Sequence, residues 1–131
     1  MTDTKEMQRE QVYRISEELD AVNEGRAYYT DDDPYEIQYL EEGYFEIPED
    51  AEQAGFGEYF DETYNEHFVI DRTGELHGVR LMVACGGPNV WVDTYNREVV
   101  SYWGSDTERY PLSSSTSEAI NDWAREVFDL R

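Results

Sequence analysis

The sequence is poor in cysteine and in long apolar runs, and each scarcity excludes a class of protein. Cys85 is the only cysteine among 131 residues, which excludes an internal disulfide framework and is typical of a reducing compartment. No apolar run approaches the roughly 20 residues of a membrane span, and the N-terminal MTDTKEMQRE lacks the apolar stretch of a signal peptide. The sequence therefore predicts a cytoplasmic protein without a membrane partner.

Positive charge is also scarce. Ten lysines and arginines stand against 31 acids, which gives a net charge of −21. A small domain needs a net charge of only about 2–8 in magnitude for solubility. Such an excess repels nucleic acid, so we expect no direct binding of DNA or RNA. Because self-repulsion destabilises a compact state, we interpret the charge as serving a cationic partner.

The deficit of bases is concentrated in one segment. No lysine or arginine occurs from residue 27 to residue 71. The acids there are Asp31, Asp32, Asp33, Glu36, Glu41, Glu42, Glu46, Glu49, Asp50, Glu52, Glu58, Asp61, Glu62, Glu66 and Asp71. Ten tyrosines and phenylalanines between residues 28 and 64 are interleaved with them. Aromatic side chains anchor a segment to a core, so we expect these carboxylates to occupy fixed positions.

The periodicity predicts one α+β domain over residues 1–131. Residues 6–24 and a final helix, capped by Ser115 or Ser117, have apolar residues at helical spacing, and the final helix is expected to bury Ile120, Trp123, Val127 and Phe128. Strands are predicted at 66–71, 76–84, 89–94 and 98–103, with an edge strand at 109–112. Together they form an antiparallel meander of about four strands in residues 69–131.

The acidic half, residues 1–68, is harder to interpret. Residues 31–34 predict a turn, residues 35–40 a short helix or strand, and residues 50–64 a second long helix. Gly55 and Gly57 weaken the helix prediction.

The amount of charge suggests a functional class. Duplex DNA carries one charge per about 1.7 Å, so 21 charges correspond to roughly 36 Å of duplex. A compact chain of this length has a radius of gyration of about 14 Å and therefore a width of roughly 36 Å, which matches that length of duplex. We interpret the chain as a non-enzymatic DNA mimic that occupies a basic nucleic-acid-binding groove of a partner protein. The predicted partner-binding residues are Asp31, Asp32, Asp33, Tyr35, Glu36, Tyr39, Glu41, Glu42, Tyr44, Glu46, Glu49, Asp50, Glu58, Tyr59, Asp61 and Glu62.

The second half of the chain carries a resemblance. Residues 78–94, with the core ACGGPN at 84–89, resemble a segment of small acidic accessory proteins of phages, plasmids and integrative elements. The resemblance continues through residues 98–104 and the final helix. It implies a counter-defence role in a bacterial or archaeal host cell, as an anti-CRISPR or anti-restriction protein. The expected partner is then a CRISPR–Cas effector or a restriction enzyme. The resemblance implies no catalytic residue, and we expect no cofactor.

Two other interpretations fit parts of the sequence. Excess acid with Lys5 as the only lysine is also typical of salt adaptation. Cys85 before two glycines is a candidate nucleophile with His67 or His77 as its base, although we favour a buried structural cysteine.

No specific metal site is predicted. Asp31, Asp33 and Glu42 have the spacing of a calcium loop, but Glu36 stands where glycine is required. His67, His77 and Cys85 match no zinc pattern.

Overall fold

The computed structural model describes residues 4–131, which form two helices, one helical turn and eight strands in an α+β arrangement. Helix α1 spans Thr4–Asn23 and buries Val12, Ile15 and Leu19 on one face, as the spacing predicts. Gly25 follows with φ +77°, a backbone conformation that favours glycine and ends the helix.

Five antiparallel strands form the meander that the sequence predicts, in the order β4-β5-β6-β7-β8. They are β4 Asn65–Ile70, β5 Leu76–Ala84, β6 Asn89–Asp93, β7 Glu98–Trp103 and β8 Asp106–Pro111. Leu81 faces Val92, and Val92 faces Val99, so one face of the sheet carries a continuous apolar row. Arg97 turns the chain between β6 and β7 with φ 54°. The strand count is one higher than predicted because the edge strand β8 pairs along its whole length.

The meander and the helices share the main core. Helix α3 spans Ser114–Val127 and buries Ile120 and Ala124. The main core joins these residues to the apolar faces of α1 and the sheet. Val127, which was predicted to face this core, is 56% exposed, because the buried stripe passes through Ala124 instead. Ser113 caps the helix by accepting a hydrogen bond from the N–H of Thr116, so the predictions of Ser115 and Ser117 were wrong.

A second, three-stranded antiparallel sheet interrupts the chain between α1 and the meander. The sequence predicted only one of its strands, as one of two alternatives for residues 35–40, and did not predict the sheet. Its strands are β1 Ala27–Thr30, β2 Asp33–Tyr39 and β3 Ala51–Gln53, in the order β2-β1-β3. Residues 31–32 make the turn, whereas Asp33 and Pro34 already belong to β2. Pro34 is tolerated because β2 is an edge strand.

The long helix predicted at 50–64 is wrong. Its first residues form β3, and only Phe56–Tyr59 is helical, as the single turn α2. The hydrogen bond from Ala54 N–H to Ala27 O, 2.9 Å long, brings the two ends of segment 27–54 together. Val22, Ala27 and Ala54 form a small second core under this sheet, separate from the main core.

Candidate functional site

The predicted acidic residues are all exposed. Asp31 and Asp32 occupy the β1–β2 turn, and Asp33 and Glu36 lie on β2. The remaining predicted acids lie in the loop after β2, in α2 and directly behind α2. They are Glu41, Glu42, Glu46, Glu49, Asp50, Glu58, Asp61 and Glu62. The predicted acids therefore all present their carboxylates to solvent.

An acidic groove lies between the three-stranded sheet and α2. It has a volume of about 480 Å³ and is lined by Tyr29, Pro34, Tyr35, Gly57, Glu58 and Asp61. The Tyr29 hydroxyl donates a hydrogen bond of 2.6 Å to Glu52 Oε2. That hydrogen bond, together with the charges of Glu52, Glu58 and Asp31, raises the pKa of Tyr29. The negative charges of these carboxylates thus converge near the Tyr29 hydroxyl, where a cation would be favoured.

Residues 40–50 form an acidic loop next to this sheet. Its start is fixed because Arg26 Nη1 donates to Leu40 O at 2.8 Å and Leu40 N–H donates to Arg26 O at 2.8 Å. Gly43 has φ +91° and allows the tight turn in which Tyr44 N–H bonds to Glu41 O. Residues 39–46 enclose a shallow depression of about 580 Å³. The loop therefore displays its acids on a shaped surface.

The predicted aromatic anchors divide into two pairs. Tyr35 is 92% exposed and Tyr44 is 64% exposed, so both are accessible to a partner. Tyr39 and Tyr59 are half-buried, and the Tyr59 hydroxyl donates to Glu18 Oε1 at 3.0 Å. Burial is the main cause that raises the pKa of both half-buried tyrosines. Tyr39 and Tyr59 therefore hold the segment against α1, and Tyr35 and Tyr44 are the better placed contact residues.

Three surface residues were missing from the predicted set. Tyr29 lines the acidic groove, and Glu52 binds its hydroxyl because the two residues face each other across β1 and β3. Their separation of 23 positions leaves no local signal, because strand register brings them together. Phe45 is 66% exposed beside Tyr44 in the acidic loop, where an aromatic pair among glutamates was the available signal.

The ion pairs formed by arginine are unevenly distributed over the surface. Within residues 4–131, every ion pair that an arginine forms uses a carboxylate outside residues 27–66. These pairs are Arg9–Glu108, Arg26–Glu24, Arg80–Asp93, Arg109–Glu98 and Arg125–Asp122. Five arginines thus pair with acids next to or within α1, α3 and the meander, whereas no arginine of residues 4–131 forms an ion pair with an acid of residues 27–66.

Cys85 is exposed, so the prediction of a buried cysteine was wrong. It lies in the open turn after β5, beyond the part of the strand that packs in the core. His67 faces Arg80 across the sheet. Arg80 precedes Cys85 by five residues, which corresponds to about 16 Å along a strand. His77 lies eight residues before Cys85 on β5, about 26 Å away by the same rise. Neither histidine is placed to serve Cys85 as a base.

The calcium-type spacing does not form a loop. Residues 33–39, between the proposed ligands Asp31 and Glu42, are strand β2. A seven-residue strand is about 23 Å long, so Asp31 and Glu42 lie near opposite ends of it.

Comparison of the chain with protein-family models, with curated proteins and with solved structures finds no match. Within residues 4–131, no helix is both long and apolar enough to cross a membrane.

Proposed function

We propose that this chain is a non-enzymatic inhibitor that occupies the basic nucleic-acid-binding groove of a CRISPR–Cas effector complex in place of DNA. The observation that carries the proposal is that the arginine ion pairs lie outside the acid-rich residues 27–66. Five arginines of residues 4–131 form ion pairs, and all five pair with carboxylates outside residues 27–66. The exposed acids of residues 31–62 are therefore the groups that would stand in for phosphates and meet lysine and arginine of the target.

Charge and aromatic area would contribute differently to such a complex. An exposed ion pair contributes only about 0.2–1 kcal/mol, so the acids mainly accelerate association and select a cationic partner. Affinity would come from aromatic side chains that become buried at the centre of the interface. Tyr35 and Tyr44 are the exposed tyrosines beside the acidic groove and in the acidic loop.

The biological setting is part of the proposal, and it rests on the resemblance that the sequence analysis suggests for residues 78–94. That resemblance favours counter-defence, in the cytoplasm of a bacterial or archaeal host. A restriction enzyme is the second candidate partner, since its DNA-binding groove presents the same cationic chemistry.

The test is a displacement experiment. Labelled duplex bound to a purified CRISPR–Cas effector is titrated with the wild-type chain and with two variants of equal charge. The first variant, Glu58→Lys with Asp61→Lys, reverses two acids of the acidic groove. The matched control, Glu118→Lys with Glu126→Lys, reverses two exposed acids of α3. We expect the wild type and the control to displace the duplex, and the groove variant to lose about tenfold or more in potency.

Other outcomes would indicate a different target or a different mechanism. Displacement from a restriction enzyme but not from a Cas complex would make the chain an anti-restriction protein. An equal loss of potency in the two variants would show that net charge alone matters, and wild-type potency of the groove variant would contradict the assignment of the face. If inhibition disappears in Cys85→Ala while the charge variants remain active, the enzyme interpretation replaces the mimic.

A further inference from the structure

The β4–β5 hairpin gathers three side chains that bind metals in proteins. One ligand atom each from Asp71, Glu75 and His77 lies within 4.8 Å of the other two. The closest pair is His77 Nε2 and Asp71 Oδ2, 2.8 Å apart. The three residues are exposed, so an ion would reach them from solvent without opening the fold.

The turn holds Asp71 in a defined orientation. Its Oδ1 accepts hydrogen bonds from the N–H groups of Thr73 (2.8 Å) and Glu75 (3.1 Å) and from the Thr73 hydroxyl (2.7 Å). The backbone closes the same turn through Asp71 N–H to Glu75 O and Gly74 N–H to Asp71 O, each 3.0 Å long. Oδ1 is therefore committed to the turn, and Oδ2 is directed towards the imidazole.

The donor set indicates the class of ion. Calcium and magnesium prefer oxygen ligands alone, whereas an imidazole with two carboxylates suits zinc and neighbouring divalent transition metals. Zinc binds histidine nitrogen and carboxylate oxygen at about 2.0–2.2 Å, so two ligands of a tetrahedral ion lie roughly 3.4 Å apart. The 2.8 Å pair would widen by about 0.6 Å, which is a side-chain adjustment at an exposed turn.

We propose that Asp71, Glu75 and His77 form a binding site for a divalent transition metal of the zinc type. In this site His77 Nε2 binds the ion in its neutral form, the two carboxylates supply oxygen ligands, and a fourth position stays open to water. The sequence grouped His77 with His67 and Cys85, and the structure separates those residues along the sheet. The imidazole distinguishes this cluster from the many exposed acids elsewhere.

The experiment is a calorimetric titration of the full chain with zinc chloride. Millimolar magnesium and about 0.15 M salt are included to occupy and screen the general acidic surface. We expect one zinc ion per chain for the wild type, and a loss of about tenfold or more in affinity for His77→Gln and for Glu75→Gln. His67→Gln is the matched control, because His67 is the other histidine and is exposed on β4. It should bind zinc as the wild type does.

A spectroscopic measurement separates the site from general cation binding. One equivalent of zinc should shift the imidazole NMR signals of His77 and leave those of His67 unchanged. Without metal, the melting temperatures of the histidine variants report whether each has folded. The proposal fails if His77→Gln is folded and binds zinc as tightly as His67→Gln, or if several ions bind with no dependence on His77.

Discussion

A hydrogen bond from the Tyr59 hydroxyl to Glu18 links α1 to the acid-rich residues 27–71. The Glu18 carboxyl lies where burial disfavours its ionised form. Burial raises the pKa of the Glu18 carboxyl, while the bond from Tyr59 and the charge of Arg14 lower it by less. Because the folded pKa exceeds the unfolded one, the folded state binds the proton more tightly. The contribution of Glu18 to stability is then most favourable below its unfolded pKa and declines as pH rises through the folded pKa.

Replacing Glu18 by glutamine should therefore stabilise the protein at neutral pH. Glutamine keeps an acceptor for the Tyr59 hydroxyl and removes the partly buried charge. We expect the free energy of unfolding at pH 7 to rise by about 1 kcal/mol, a common size for single substitutions. The gain should shrink below about pH 4, where the wild-type carboxyl is protonated in both states.

Glu17→Gln is the control for this change, because it removes one charge from an exposed position of the same helix. Urea denaturation of the three proteins at pH 7 and at pH 4 measures the effect. Equal gains for the two variants would attribute the stabilisation to net charge and not to burial of Glu18.

Gly78 is the glycine of β5 that has no room for a side chain. A Cβ there would lie 2.5 Å from Tyr95 Cβ and 2.7 Å from Tyr95 Cα. Because the obstruction includes backbone, we expect Gly78→Ala to cost about 1–3 kcal/mol. At Gly87 a Cβ meets nothing within 4 Å, so Gly87→Ala should be nearly neutral. Thermal unfolding of both variants checks this, and similar melting temperatures would contradict the close approach.

At the scale of the element, the cap of α3 joins two helices. Ser113 Oγ accepts from Thr116 N–H and donates to Asp20 on α1, and the Thr116 hydroxyl also donates to Asp20. Loss of a serine cap costs about 1 kcal/mol, and Ser113→Ala should cost at least this much because the bond to Asp20 is lost too. Ser115 bonds only to Asn23 at the exposed surface, so Ser115→Ala should cost less. A larger loss for Ser115→Ala would restore the earlier prediction of the cap.

The elements that the sequence predicts well are those with a strong local pattern. Val79, Leu81 and Val83 alternate, and the predicted strand 76–84 has the bounds of β5. The strands β1 and β3 have four and three residues, which is too short for alternation to appear. They exist because β1 pairs with both β2 and β3 and because the small second core lies under them, and these are non-local effects.

In the candidate site too, local features are predictable from the sequence and non-local contacts are not. Exposure of the acids is predictable because an ionised carboxylate is costly to bury without a partner. Which acids share the acidic groove is not predictable, because Glu52 reaches Tyr29 through strand register and Asp61 reaches the groove through α2. The division of the tyrosines likewise depends on α1, which covers Tyr59 and leaves Tyr35 in solvent.

For the whole molecule, the net charge of −21 makes salt a variable with two opposite effects. Added sodium chloride screens self-repulsion, so the melting temperature should rise between about 0.01 and 0.5 M salt. The same salt should weaken displacement of duplex from the target. The Debye length falls to about 3 Å at 1 M, so the gain in stability should level off there. A steep gain that continues to several molar would favour salt adaptation instead.

The closed ends of segment 27–54 have a consequence for how this protein can change. Because Ala54 N–H reaches Ala27 O, the segment leaves and re-enters the fold at nearly one point, like an exchangeable cassette. The entropic cost of closing a loop grows only slowly with its length, so connections of different length can join these two points. An engineered chain with a short glycine linker in its place should keep the meander and, under the proposed function, displace duplex less strongly than the wild type.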